Sequence, residues 1–212
     1  VNHFDKNKPA VSVNNITFGY DKNQAILKDY SLEVKHNETV TITGRTGAGK
    51  STLFKLILGL YPCDKGEVSI FGVPATNINE KEKREIYGCV EQEFKPTTGT
   101  LKDQITLKNQ SITNLEVEKA LETVGLKDKI QDCDKPFMES DFSQGQLQLL
   151  SIARAIVKNP EILLLDEMTA NLDALTEQAI IEAIYKAKVN RTVLSISHRT
   201  YTLSDSREVK IS

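Results

Sequence analysis

Gly44-Arg45-Thr46-Gly47-Ala48-Gly49-Lys50-Ser51 is the stretch of this chain best equipped for chemistry. A glycine, four residues, then Gly-Lys-Ser follow the β-rich run Val40 to Thr43 and precede a helical pattern over 50–59. In that context the loop is built to hold phosphate. Gly44, Gly47 and Gly49 let the backbone turn so that successive N–H groups face an anion. The following helix aims its positive end at the same point. Lys50 adds a point charge for the outer phosphates, and the Ser51 hydroxyl suits Mg²⁺. Gly44 through Ser51, with Thr52 following, are the candidate nucleotide-binding residues. A dinucleotide fingerprint fails, because Thr52 stands where a third Gly or Ala is wanted. The second chemical element is Ile162-Leu163-Leu164-Leu165-Asp166-Glu167, an apolar strand ending in two acids. Asp166 is placed to serve Mg²⁺, and Glu167 to polarise an attacking water. Two acids merely capping a strand are the plainer reading.

The elements that must position these residues follow from periodicity. Val11, Val13 and Ile16 mark a strand, DKNQ (21–24) a turn, and Ile26 to Val34 a second strand. Residues 36–38 form another turn. Strand patterns recur at Val68 to Phe71, Tyr87 to Val90, Glu161 to Asp166 and Thr192 to Ser197. Helical spacing appears at Val117, Ala120, Leu121 and Val124, with Thr113 and Glu116 as a capping box and Gly125 as a stop. It recurs over 143–158, ending before Pro160, and at Ile180, Ala183, Ile184 and Ala187. Strands first, then alternating strands and helices, imply a parallel α/β core carrying an antiparallel layer. Residues 1–9 are polar and read as a frayed lead-in or linker.

Composition sets the bounds. The 212 residues carry 27 Lys plus Arg against 29 Asp plus Glu, for a formal charge of -2. That balance argues against a nucleic-acid binder working by bulk phosphate neutralisation. No apolar run approaches the ~18 residues of a membrane span; the longest purely aliphatic stretch is Ile162 to Leu165. The first twenty residues lack the apolar core of a signal peptide. Cys63, Cys89 and Cys133 are odd in number and widely spaced, which fits a reducing cytosol rather than a disulfide framework or a metal site. A chain that begins with Val rather than Met reads as processed or excised.

Between the two chemical elements lies Phe142-Ser143-Gln144-Gly145-Gln146, opening a helix. Here the chain resembles the ATP-binding cassette (ABC) ATPases, whose signature is Leu-Ser-Gly-Gly-Gln. The resemblance spans nearly the whole chain. Tyr20 matches the aromatic residue that stacks on adenine, and Gln92 the glutamine after the strand following the phosphate loop. Ala170-Asn171-Leu172-Asp173 matches the loop after the acidic strand, and His198 the histidine ending the next strand. Each has a plain reading in isolation. Tyr20 is a turn tyrosine, Gln92 loop surface, and His198 a solvent-facing residue. Ser143 and Gln146 form a helix capping box. Residues 87–105 and the opening NNITFGYDKNQAILKDYSLEV are similar to exporter cassettes. Four departures stand out. Gln144 replaces the first signature glycine. Residues 135–141 are shorter than the usual exporter loop. Met168 takes a place usually held by a small residue or Pro. The chain stops at Ser212, where the family continues, as a C-terminally truncated cassette would.

The resemblance implies a phosphate-loop fold with a RecA-like parallel-sheet core, an antiparallel β subdomain and a helical subdomain at about 93–142. The cassette would occupy 10–212. It implies ATP and Mg²⁺ as cofactors. Lys50 and the loop bind phosphate; Ser51, Gln92 and Asp166 serve the metal. Glu167 positions water and His198 holds the γ-phosphate. Ser143, Gly145 and Gln146 complete the site of a second, head-to-tail copy. The expected partner is an exporter's membrane domain, in the same or a separate chain, at the cytoplasmic face. Two rivals remain at this point. One is a soluble ABC ATPase of translation or DNA repair; the other is a non-catalytic nucleotide-binding module.

Overall fold

The computed structural model describes residues 1–45, 47–166, 172–197 and 203–212. The elements in chain order are β1 (Val11–Phe18), β2 (Leu27–Val34), β3 (Thr39–Thr43), α1 (Lys50–Ile57), β4 (Lys65–Ile70), β5 (Val73–Pro74) and α2 (Glu80–Ile86). There follow β6 (Tyr87–Val90), α3 (Leu101–Thr106), α4 (Asn114–Thr123), α5 (Gln144–Ile156), β7 (Ile162–Asp166), α6 (Ala174–Ala187), β8 (Thr192–Ser197) and β9 (Arg207–Lys210). Two compact units divide them. One comprises Val1–Ile86 with Asn190–Ser212, the other Tyr87–Val189.

The first unit holds an antiparallel sheet in the order β2-β1-β4-β5 and the parallel trio β8-β3-β9. Along β1 the buried residues are Val11, Val13, Ile16 and Phe18. Strict alternation would turn Ile16 outward. The register shifts between Val13 and Ile16, and Asn15 sits at φ 44, so one extra residue returns Ile16 to the core face. β3 is buried at all five positions, as befits a strand flanked by parallel neighbours on both sides. It delivers the chain directly into the phosphate loop.

The polar start of the chain is tied down rather than frayed. The Asn2 backbone N–H donates to Glu82 Oε1 at 2.9 Å, and its side-chain amide donates to Glu82 Oε2 at 2.7 Å. Asp5 N–H donates to the Phe71 carbonyl, and Phe71 N–H to the Pro9 carbonyl. These partners lie between sixty-two and eighty residues away in sequence, which is why polarity alone misread the segment. Glu82 belongs to α2, whose first turn it closes reciprocally with Asn79. The strand read at Val68 to Phe71 begins at Lys65 and stops at Ile70, because Phe71 turns at φ 46.

In the second unit β6 pairs parallel with β7. Its centre is α5, buried on nearly every side and packed against α3, α4, α6 and β6. The helical stretch expected at about 93–142 contributes α3, α4 and two short 3₁₀ turns. The capping boxes read at Thr113–Glu116 and Ser143–Gln146 both form. Among the described residues no helix is long and apolar enough to cross a membrane.

The edge strand β9 pairs with β3 and is tied further by the side chain of Arg207. Arg207 Nε donates to Glu38 Oε1 at 2.6 Å, and Nη2 donates to the Glu33 carbonyl at 2.6 Å. Burial would raise the Glu38 carboxyl. Hydrogen bonds from Arg207 and the Lys35 N–H, and the charges of both residues, outweigh it and hold the pKa below the ordinary value. A depressed carboxylate stabilises the fold above its unfolded pKa of ~4.3, and this is lost as pH falls through the folded value. The Arg207 side chain is 47% exposed, so solvent screens the pair. Arg207→Ala should therefore cost no more than about 1 kcal/mol at pH 7. In urea denaturation the gap to the parent should close below pH ~4; an unchanged gap at pH 3 would contradict this account of the pair.

Candidate functional site

The phosphate loop leaves β3 at Thr43 and enters α1 at Lys50. Gly49 is the residue before the helix and stands at φ 100, a left-handed conformation that an L side chain resists. A Cβ there would also come within 2.8 Å of Leu27 Cδ2. Gly47, also left-handed at φ 82, is exposed, and an added Cβ would meet nothing within 4 Å. The open side of the loop is therefore at Gly47, and the packed side at Gly49. Ala48 N–H donates to the Arg45 carbonyl at 3.1 Å, closing the turn. Ala48 and Thr52 are buried, Arg45 and Ser51 exposed, and Gly44 half-buried. Thr46 lies outside the described residues.

Lys50 is only 4% exposed. Its ammonium donates to the carbonyl of Gly44 and lies 3.5 Å from that of Arg45. A lysine cation held inside a loop of its own backbone, at the N-terminus of a helix, can attract a polyanion strongly. Tyr20 is half exposed, with its hydroxyl 3.4 Å from Thr52 Oγ1 in the first turn of α1. Its ring meets Phe18 and Tyr61 edge-on at 5.1 and 5.4 Å, and Lys55 Nζ lies 5.5 Å from its centroid. The tyrosine thus lies beside the first turn of α1, which follows the phosphate loop.

In the second unit, Gln92 is exposed just beyond the end of β6. Asp166 ends β7 and is half-buried. Ser143 caps α5: the Gln146 N–H donates to Ser143 Oγ at 3.1 Å, and the Ser143 N–H to Gln146 Oε1 at 2.9 Å. Ser143 and Gln144 are exposed, Gln146 half-buried and Gly145 buried. A Cβ on Gly145 would fall 2.3 Å from Thr176 Cγ2. Thr176 in turn is held by Asp173, which accepts from its N–H at 3.0 Å and its hydroxyl at 2.6 Å. These bonds from Thr176, the side-chain one foremost, keep the Asp173 carboxyl below its usual pKa. The starts of α5 and α6 therefore touch where the signature needs a small residue. Glu167, Met168, Ala170, Asn171 and His198 lie outside the described residues. Sequence reasoning did not single out Thr176, although Asp173-x-x-Thr176 carries cap spacing, nor Arg154, a charge inside an apolar helical run.

Loop, buried lysine and parallel strands together define a phosphate-loop nucleotide-binding domain. Comparison with known proteins narrows the class. The family model described as ABC transporter matches residues 27–170. The chain is 34% identical over 207 residues to the "Probable multidrug resistance ABC transporter ATP-binding/permease protein YheH" of Bacillus subtilis, covering 95% of this chain and 31% of that protein. It is 34% identical over 211 residues to the ATM1-type heavy metal exporter of Novosphingobium aromaticivorans, covering 97% and 35% respectively. A solved bacterial Atm1-family ABC exporter with ATP bound superposes with a TM-score of 0.84 at 34% identity, over 97% of this chain and 37% of that one. The chain belongs to the ABC transporter family and spans about a third of the length of the relatives it matches.

The close approach at Gly145 makes a stability prediction. Gly145→Ala should lower the unfolding free energy by about 1–3 kcal/mol through overpacking. Thr176→Ser removes the opposing methyl and keeps the hydroxyl bond to Asp173, so it should restore most of the loss in the double variant. Chemical denaturation of the four proteins checks this; equal losses with and without Thr176→Ser would place the strain elsewhere.

Proposed function

We propose that this chain binds and hydrolyses ATP and thereby powers export by a membrane-spanning domain, in the same or a separate chain, at the cytoplasmic face. The observation that carries the proposal is the buried Lys50 ammonium, drawn onto the carbonyls of its own glycine-rich loop at the head of α1. A triphosphate gives that cation and the loop N–H groups a stronger acceptor than a carbonyl. Tyr20 offers a half-exposed ring for the base.

Ser51, Gln92 and Asp166 offer hydroxyl, amide and carboxylate oxygens, the donor set a hard divalent cation prefers. The exposed Ser51 hydroxyl in the first turn of α1 fits that use. Mg²⁺ bound there would neutralise charge on the phosphates. Glu167 accepts the proton of the attacking water, and His198 donates to the γ-phosphate. Phosphoryl transfer needs position and charge stabilisation more than covalent chemistry, which suits this inventory. Ser143, Gly145 and Gln146 act in trans, on nucleotide held by the loop of a second copy. The exposed, capped start of α5 is a helix N-terminus that can face an anion.

Two substitutions separate binding from chemistry. Lys50→Ala should weaken ATP binding and abolish turnover. Glu167→Gln should bind ATP about normally and slow hydrolysis by roughly 10²–10⁴-fold. Equilibrium titration and steady-state ATPase assays read the two effects; wild-type turnover in Glu167→Gln would remove that residue from the mechanism.

The trans arrangement makes activity bimolecular. ATPase activity per molecule should rise with protein concentration in the dilute range. Ser143→Arg should suppress activity and the ATP-dependent dimer seen in a Glu167→Gln background, leaving single-chain ATP binding nearly intact. Flat specific activity across dilution, with full activity in Ser143→Arg, would mean that each chain works alone.

A further inference from the structure

The segment that carries Gln92 runs from Glu91 to Thr97 without regular structure. It is nonetheless fastened through its backbone at three residues and through one ring. Gln148 Nε2, on α5, donates to the Glu91 carbonyl at 3.4 Å. Arg154 Nη1, near the other end of α5, donates to the Lys95 carbonyl at 2.9 Å. The same guanidinium lies 4.5 Å from the centroid of the Phe94 ring. Gln104, fully buried on α3, accepts from the Thr97 N–H and donates to the Thr97 carbonyl, both at 2.8 Å. Arg154 reaches this last anchor too, because its Nε donates to the Gln104 carbonyl at 2.6 Å. Gln92 and Glu93 are exposed and sit between the first two fastenings.

We infer that Arg154 is the positioning residue for Gln92: it holds the loop 91–97 against α5, so that the glutamine and the Ser143–Gln146 helix belong to one body. The inference rests on the proposed reading that Gln92 serves the nucleotide and its metal. A guanidinium suits the task because its planar fork can reach two carbonyls while its face covers a ring. Arg154 is half-buried, and its Nη2 is buried with no hydrogen-bond partner among the described residues. A ladder of rings ties the other end of the helix to the same loop. Phe94 meets Phe137 at 5.9 Å, and Phe137 meets Phe142, the residue before Ser143, at 5.2 Å. Lysine keeps the charge but has one nitrogen in place of the fork, so it cannot span the carbonyls of Lys95 and Gln104 as arginine does.

The test uses the full chain at a concentration where activity per molecule no longer rises. Arg154→Lys and Arg154→Met should each speed hydrogen exchange of the amides in 91–97 by about 10-fold or more, leaving the interior amides of α5 unchanged. Arg154→Met should lower kcat by roughly 10-fold with little change in KM for ATP, and Arg154→Lys should fall between it and the parent. In a Gln92→Ala background, Arg154→Met should have no further effect on kcat, since the group it positions is gone. Multiplying losses in the double variant, or unchanged exchange in the loop of Arg154→Lys, would overturn the inference while the parent still hydrolyses ATP. A parent that binds ATP without hydrolysing it would instead bring down the proposed function, and this inference with it.

Discussion

A single buried cation governs the nucleotide end of this molecule. Lys50 is 4% exposed, and a charge taken out of water needs polar partners at once. The loop supplies them by curling back on itself, and that curl is possible only because Gly49 adopts a left-handed backbone in a space closed by Leu27. The loop must then be held from behind. β3 does so, buried along its whole length between β8 and β9. Strand, loop and helix are thus consequences of one requirement: to hold an ammonium group and a row of N–H donors where phosphate can reach them.

The second unit answers to a different constraint. α5 is buried almost all round, so its register is set by packing against three helices and a strand. Its two polar ends are the exceptions. The start, exposed and capped by Ser143 and Gln146, is the helix end proposed to face nucleotide on another copy. The last turn carries Arg154, whose contacts run to the loop behind Gln92. A helix immobilised along its middle can hold groups at both tips with little play. Gly145, in the first turn, shows that the packing is tight there too, since even a methyl group would strike Thr176.

Much was legible in the sequence because it is local. A phosphate loop is eight consecutive residues with glycines where the backbone must turn, and its strand and helix adjoin it. The capping boxes at Thr113–Glu116 and Ser143–Gln146 are three-residue spacings, and both form as read. The apolar strand ending at Asp166 and the apolar face of α6 follow from the same short-range periodicity. These features do not depend on where the rest of the chain goes.

What the tertiary structure alone decided involves partners far apart in sequence. The polar residues 1–9 looked frayed, yet Asn2 finds Glu82 and Asp5 finds Phe71. The strand β9 is short and polar, with a pattern too weak to announce itself; β3 and the Arg207–Glu38 bond hold it. The bulge at Asn14–Asn15 shows in sequence only as a spacing of three between Val13 and Ile16, and the partner strands give it meaning. The neighbours of Tyr20 also come from afar, since its hydroxyl lies beside Thr52, thirty-two residues on. Arg154 passed unremarked within an apolar helical run, because its acceptors lie fifty and fifty-nine residues away. Short-range order is written in residue spacing. Long-range pairing is chosen by which buried polar group can reach which acceptor once the chain has closed.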